Sequence, residues 1–333
     1  YSNTTGAYNT SVGAGSLYTN TTGNKNSAFG YASLNLNTTG SYNSAFGYGS
    51  LYSNTTGTKN DAFGYQALYS NTTGAFNSAF GYQVLLNNTT GESNLGLGFQ
   101  ALFTNTTGDY NVALGGLALS GNTTGSQNVA VGDRALYTNT TGFGNMGIGS
   151  KALYNNTSGS YNTASGYNAL YANTTGDYNT ALGVQAINAN TSGSRNTGIG
   201  NYALGLNTTG SNNTAIGYNA GRSNVTGTGN VFIGYQAGYN ETGSNKLYIS
   251  NASNTNLITG DFSTGALSLG QSSGTVSVVN NLDVDGTSNL DVVDIDGAVD
   301  MASTLTLAGN ADFNGDLDVD GTSNLDVVDI DGA

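Results

Sequence analysis

The stretch Asn54-Thr55-Thr56-Gly57-Thr58-Lys59-Asn60-Asp61-Ala62-Phe63-Gly64-Tyr65-Gln66-Ala67-Leu68-Tyr69-Ser70 is one copy of a 17-residue phrase, Asn-Thr-Thr-Gly-x-x-Asn-x-Ala-φ-Gly-x-x-Ala-Leu-x-x with φ apolar. Its leading Asn stands at Asn3, Asn20, Asn37, Asn54, Asn71, Asn88, Asn105, Asn122, Asn139, Asn156, Asn173, Asn190, Asn207 and Asn224, and a shortened copy starts at Asn240. A period held this strictly predicts a stacked architecture, in which each copy buries its apolar face only against its neighbours. The fold expected is all-β: a parallel β-solenoid of 17-residue coils over residues 1–250, a cap and transition over 251–274, and an acidic fibrous β-stalk over 275–333.

Helix is a poor reading of the unit, because each Gly and Asn weakens a helix relative to Ala. Two strands separated by turns fit better. The first is expected over the seventh to twelfth places and a shorter one around Ala-Leu-Tyr near the fifteenth. Alternation along the first strand gives a thin face of Asn, Ala and Gly, as in Asn43, Ala45 and Gly47, and a bulky face centred on the tenth place, as in Phe46, Leu114 and Ile199. The thin face can lie against another wall of the same coil. The bulky face then needs a cover, either another chain or a wider interior of its own.

The two fixed Gly carry separate expectations. The one after Asn-Thr-Thr suits a turn of positive φ, and the one after the apolar residue suits a sharp bend or close backbone approach. Stacked in register, the seventh-place Asn9, Asn26, Asn43, Asn60, Asn77, Asn94, Asn111, Asn128, Asn145, Asn162, Asn179, Asn196, Asn213 and Asn230 form an amide ladder along the axis. Tyr at the twelfth and sixteenth places, such as Tyr31, Tyr48, Tyr65 and Tyr82, stack likewise. Fourteen coils at ~4.8 Å make a rod of roughly 67 Å. The fifteenth-place Leu gives way to Gly221 and Gly238, which reads as loosening toward a terminal cap.

Composition narrows the function. Only 8% of residues are charged, and Pro, Cys and Trp are absent, as is His. There is therefore no disulfide framework or thiolate metal site, and the commonest general base is missing. Residues 1–250 carry 7 basic and 6 acidic groups, whereas residues 251–333 carry 14 acidic and none basic, so the two regions differ in surface and neither has a basic footprint for nucleic acid. No segment is apolar and long enough to span a bilayer. Both ends read as truncated, at Tyr1-Ser2 inside one repeat and at Ala333 inside another.

Asn43-Ser44-Ala45-Phe46-Gly47-Tyr48, with its kin at 128–132 and 213–217, resembles the head repeat of trimeric autotransporter adhesins. That resemblance implies a parallel β-roll assembled as a homotrimer. The run Ser244-Asn245-Lys246-Leu247-Tyr248-Ile249, followed by Gly260-Asp261-Phe262-Ser263, is similar to repeats of phage tail-fibre proteins. The likeness covers about three quarters of the chain, and the Asn-Thr-Thr-Gly turn is an addition to the commonest adhesin repeat.

Several motifs admit two accounts. Asp-x-Asp-Gly at 283–286, 294–297, 318–321 and 329–332 suits either Asp rings holding a cation on a threefold axis or a solvated strand face. A helix-loop-helix calcium site is excluded, since the third ligand before the Gly and the later Glu are missing. Every leading Asn, from Asn3 to Asn240, is an N-glycosylation acceptor, and Asn and Thr equally cap backbone groups at a turn. Paired Thr suggests ice or crystal binding, weakened because adjacent Thr point to opposite sides of a strand. The scattered carboxylates have no nucleophile or base beside them, so no enzyme, cofactor or metal is expected. The reading is an extracellular adhesive fibre segment, on a virion, cell surface or secreted filament, binding its own copies and a host-surface glycan or protein. A glycan-coated filament subunit is the alternative.

Overall fold

The computed structural model describes residues 2–253 and 255–270. The expected stalk and its Asp-x-Asp-Gly motifs fall outside them. Among the described residues there are strands and turns and no helix. Strand β1 (Thr10–Val12) is followed at every 17th residue by an equivalent three-residue strand, down to β14 (Val231–Ile233), and then by β15 (Lys246–Ser250). Each pairs in parallel with the next without a register shift, Ala45 facing Ala62 and Ala62 facing Ala79. The result is a parallel β-solenoid. Parallel stacking stops at β15, and β16 (Asn256–Asp261) and β17 (Ala266–Leu269) add to it antiparallel.

The phrase Asn-Thr-Thr-Gly is explained by one oxygen. The backbone N–H groups of Thr38, Thr39 and Gly40 and the hydroxyl of Thr38 all donate to the carbonyl of Thr55 in the next coil, at 2.9, 3.1, 3.2 and 2.9 Å. Consecutive N–H groups converging in this way form a concavity for an anion or a carbonyl. The Gly is required for closeness and not for its torsion: none of the Gly after Asn-Thr-Thr has positive φ, but a Cβ on Gly40 would overlap the carbonyl of Gly57 and the amide of Asn37. The expectation of a positive-φ turn there is corrected accordingly. Positive φ belongs instead to the other fixed Gly, such as Gly64 at 142°, where a Cβ would also overlap the carbonyl of Gly81.

The first strand is shorter than expected, covering only the eighth to tenth places, and the second strand does not form. The thirteenth and fifteenth places take the left-handed conformation instead, as in Gln66 at φ 54° and Leu68 at φ 52°. An L-residue there costs about 1–2 kcal/mol. The compensation is burial. The arch turns Ala67 and Leu68 inward against Ala62, all three with 0% exposure, and a fully buried Leu contributes about 1.5–3 kcal/mol.

Thin-face Ala and fifteenth-place Leu thus form a continuous core, and at three places departures from the repeat compensate one another in volume. Val84 replaces the fourteenth-place Ala, and Gly96 in the next coil replaces the Ala that would touch its Cγ1. Ile187 replaces a Leu, and Gly198 stands where a Cβ would lie 2.6 Å from its Cγ1. Phe232 replaces an Ala and is fully buried between Gly221 and Gly238, where any Cβ would run into its ring. The last coils are therefore repacked, and the loosening read from those two Gly is corrected.

Beyond Phe232, β15 and β16 close the stack. Tyr248 lies 6.0 Å from the Phe232 ring and donates its hydroxyl to Glu241 Oε2 at 2.6 Å. Burial and that bond push the Tyr248 phenol up to about 12. Lys246 Nζ meets Asp261 Oδ2 at 2.7 Å. This ammonium, with help from Ser263, holds the Asp261 carboxyl far below its ordinary range.

Candidate functional site

The long sides of the solenoid are the candidate site, because each repeat place becomes a column. Two columns are buried amide ladders. At the seventh place, Asn60 Nδ2 donates to Asn43 Oδ1 at 3.2 Å and to Gly74 O at 2.9 Å, while Asn60 N donates to the same Oδ1 at 3.0 Å. Asn26, Asn43 and each seventh-place Asn on to Asn230 are buried; Asn9 in the first coil is not. The second ladder runs along the leading Asn. Asn54 Nδ2 donates to Asn37 Oδ1 at 2.8 Å and to Gly57 O at 3.0 Å, and Asn71 repeats the pattern on Asn54. Sequence reasoning placed these Asn in a turn and missed their ladder.

That geometry bears on modification. From Asn20 to Asn224 each leading Asn is at most 2% exposed, and from Asn20 to Asn207 each donates two hydrogen bonds through Nδ2. A sugar bonded to Nδ2 would remove a donor and need space that the next coil fills. Only Asn3 and Asn240, in the end copies, are exposed. The third-place Thr, such as Thr39 and Thr56, form an exposed column, while their second-place neighbours bond along the axis.

The outer columns are apolar and aromatic. At the tenth place, Phe29, Phe46, Phe63 and Phe80 stack with centroids 4.7 to 5.1 Å apart, and Leu97, Ile148 and Ile216 continue the column. These side chains point outward, with Leu97 51% and Ile148 40% exposed. A wide single-chain interior holding them is excluded. Beside them Tyr31, Tyr48, Tyr65, Tyr82 and Phe99 stack at 5.1 to 5.5 Å. At the sixteenth place Tyr52 stacks on Tyr69, and Tyr137, Tyr154 and Tyr171 stack in turn, at 5.0 to 5.1 Å.

Among the described residues no group of three or more Asp or Glu lies together, and no helix is long and apolar enough to cross a membrane. The surface is instead a set of parallel columns in which like side chains recur over runs of successive rungs. Such a surface suits repeated weak contacts. The chain matches no protein-family model, no curated protein and no solved structure.

Proposed function

We propose that the solenoid is the rod of an extracellular structural and adhesive fibre, a homotrimer of the kind borne by a phage tail or a cell surface, which attaches by many weak contacts along its length. The observation that carries this reading is the outward column from Phe29 to Ile233, an apolar strip broken at Ser165 but otherwise running rung after rung along the strand face, which exceeds what scattered surface residues provide. A partner matching it must repeat at the same spacing over many rungs, and another copy of this chain does so. Stacked rings and bonded amides make the rod stiff, so equivalent sites on it act together and gain avidity without new contacts. The reading assigns the chain no catalytic role. The glycan-coated filament finds no support in the buried leading Asn, which leave only Asn3 and Asn240 open to a sugar.

Native mass spectrometry of the full chain tests the assembly. The expected particle is three times the 33.8 kDa chain mass. Phe46→Asp with Phe63→Asp, which places carboxylates in the strip, should release single chains with an unchanged far-ultraviolet spectrum. A wild-type particle of one chain overturns the proposal.

A further inference from the structure

Three outer ladders are interrupted, and all three are interrupted at the coil of residues 105–121. At the twelfth place the rings end at Phe99, because the next coil has Gly116. At the thirteenth, Gln66, Gln83 and Gln100 form an amide ladder at 2.9 Å that ends because Leu117 follows. No donor among the described residues reaches Gln100 Oε1. At the sixteenth, Ser120 stands between Phe103 and Tyr137, and its hydroxyl has no partner among the described residues.

The absent side chains leave a cleft of about 450 Å³ lined by Gln100, Phe103, Leu117, Ser120, Gly121 and Tyr137, among others. Phe103 and Tyr137 are two rungs apart, about 10 Å. Tyr137 stacks on Tyr154 with one face and has no ring against the other. A ring held midway would sit about 5 Å from each wall, a stacking distance. At the twelfth and thirteenth places of the following coil the exposed pair Asp133 and Arg134 stands 3.4 Å apart.

We propose that this cleft binds one pyranose ring of a surface glycan, its C–H faces against Phe103 and Tyr137 and its hydroxyls on Gln100 Oε1 and the Ser120 hydroxyl. The inference rests on the adhesive half of the proposed function and gives it a ligand class. Small-molecule sites combine apolar walls with a few placed polar groups, and a sugar is the ligand whose ring carries both an apolar face and several donors. An aromatic side chain would fill the missing rung but leave the acceptors unmatched.

The test is saturation-transfer NMR on the full chain with hexasaccharides of glucose, galactose, mannose and N-acetylglucosamine, and N-acetyltyrosinamide as the aromatic probe. Ser120→Tyr supplies the ring that other coils carry, at Tyr52, Tyr69 and Tyr137, so the variant keeps a side chain that the fold accepts. The expected result is transfer to at least one hexasaccharide, at least about tenfold weaker in Ser120→Tyr and weakened in Gln100→Ala. Absence of transfer to all four, transfer unchanged in Ser120→Tyr, or binding of N-acetyltyrosinamide alone overturns the proposal. The two readings fail separately: a one-chain particle with Ser120-dependent sugar binding removes the trimer and keeps the cleft, and a three-chain particle without sugar binding does the reverse.

Discussion

Asn111→Asp places a carboxylate in the middle of the seventh-place ladder with almost no change of shape. Asn111 is fully buried and donates through Nδ2 to Asn94 Oδ1 at 3.1 Å and to Gly125 O at 2.9 Å. Its Oδ1 accepts from the backbone and side chain of Asn128 at 3.0 and 3.2 Å. Asp keeps the accepting side and turns a second oxygen toward two acceptors. Each unanswered buried acceptor costs about 1–3 kcal/mol, so the ionised variant should lose about 2–6 kcal/mol. A protonated carboxyl can donate to one of them and recovers about half. The carboxyl is therefore raised in the folded chain, by at least about one unit for each 1.4 kcal/mol recovered, from about 3.9 in the unfolded chain. Between these values the folded state binds the extra proton, so stability falls as pH rises. Relative to wild type, the variant should lose about half as much at pH 4 as at pH 7, read by urea unfolding and by amide exchange at Asn128. Asn3→Asp, in the exposed end copy, is the control. A loss independent of pH, or no greater than at Asn3, would refute the ladder as a source of stability.

Compensation in the core gives a second expectation. Gly96→Ala adds a methyl against Val84 and should cost about 1–3 kcal/mol by overpacking. Val84→Ala with Gly96→Ala restores the pair common to other coils, so denaturant midpoints should show coupling of about 1 kcal/mol or more, and simple additivity would count against it. Phe232→Ala leaves a cavity between Gly221 and Gly238 and should cost about 3–5 kcal/mol by the same assay, with part regained on Gly221→Leu. At the cap, the depressed Asp261 stabilises the fold above the unfolded carboxylate value, and that contribution disappears as pH falls through its lowered folded value. Amide protection in β16 should therefore decline in acid, and Asp261→Asn should remove the dependence.

The period, the parallel stack, the thin inward face and the seventh-place ladder are legible in the sequence, because each follows from side-chain spacing alone. The fifteenth-place Leu is not. Propensity places Leu in regular structure, whereas here burial holds Leu68 and its equivalents in a left-handed turn. A signal was nonetheless present. Gly15, Gly49, Asn168 and Asn219 at the thirteenth place, and Gly221 and Gly238 at the fifteenth, are residue types that accept positive φ. The leading Asn misled for another reason, since a sequon and a buried ladder ask for the same letters and only the distance to the next coil separates them. Phe232 shows the limit of reading one column at a time. Its partners Gly221 and Gly238 suggest weakness until all three are seen in one layer.

The central claim is that each coil lies on the next in parallel register and turns its tenth-place side chains outward. A density map of the purified chain that separates single rungs tests it directly. The rings of Phe29, Phe46, Phe63 and Phe80 should form one outward column with centroids 4.7 to 5.1 Å apart. Antiparallel neighbouring strands, or those rings dispersed through an interior, would contradict it.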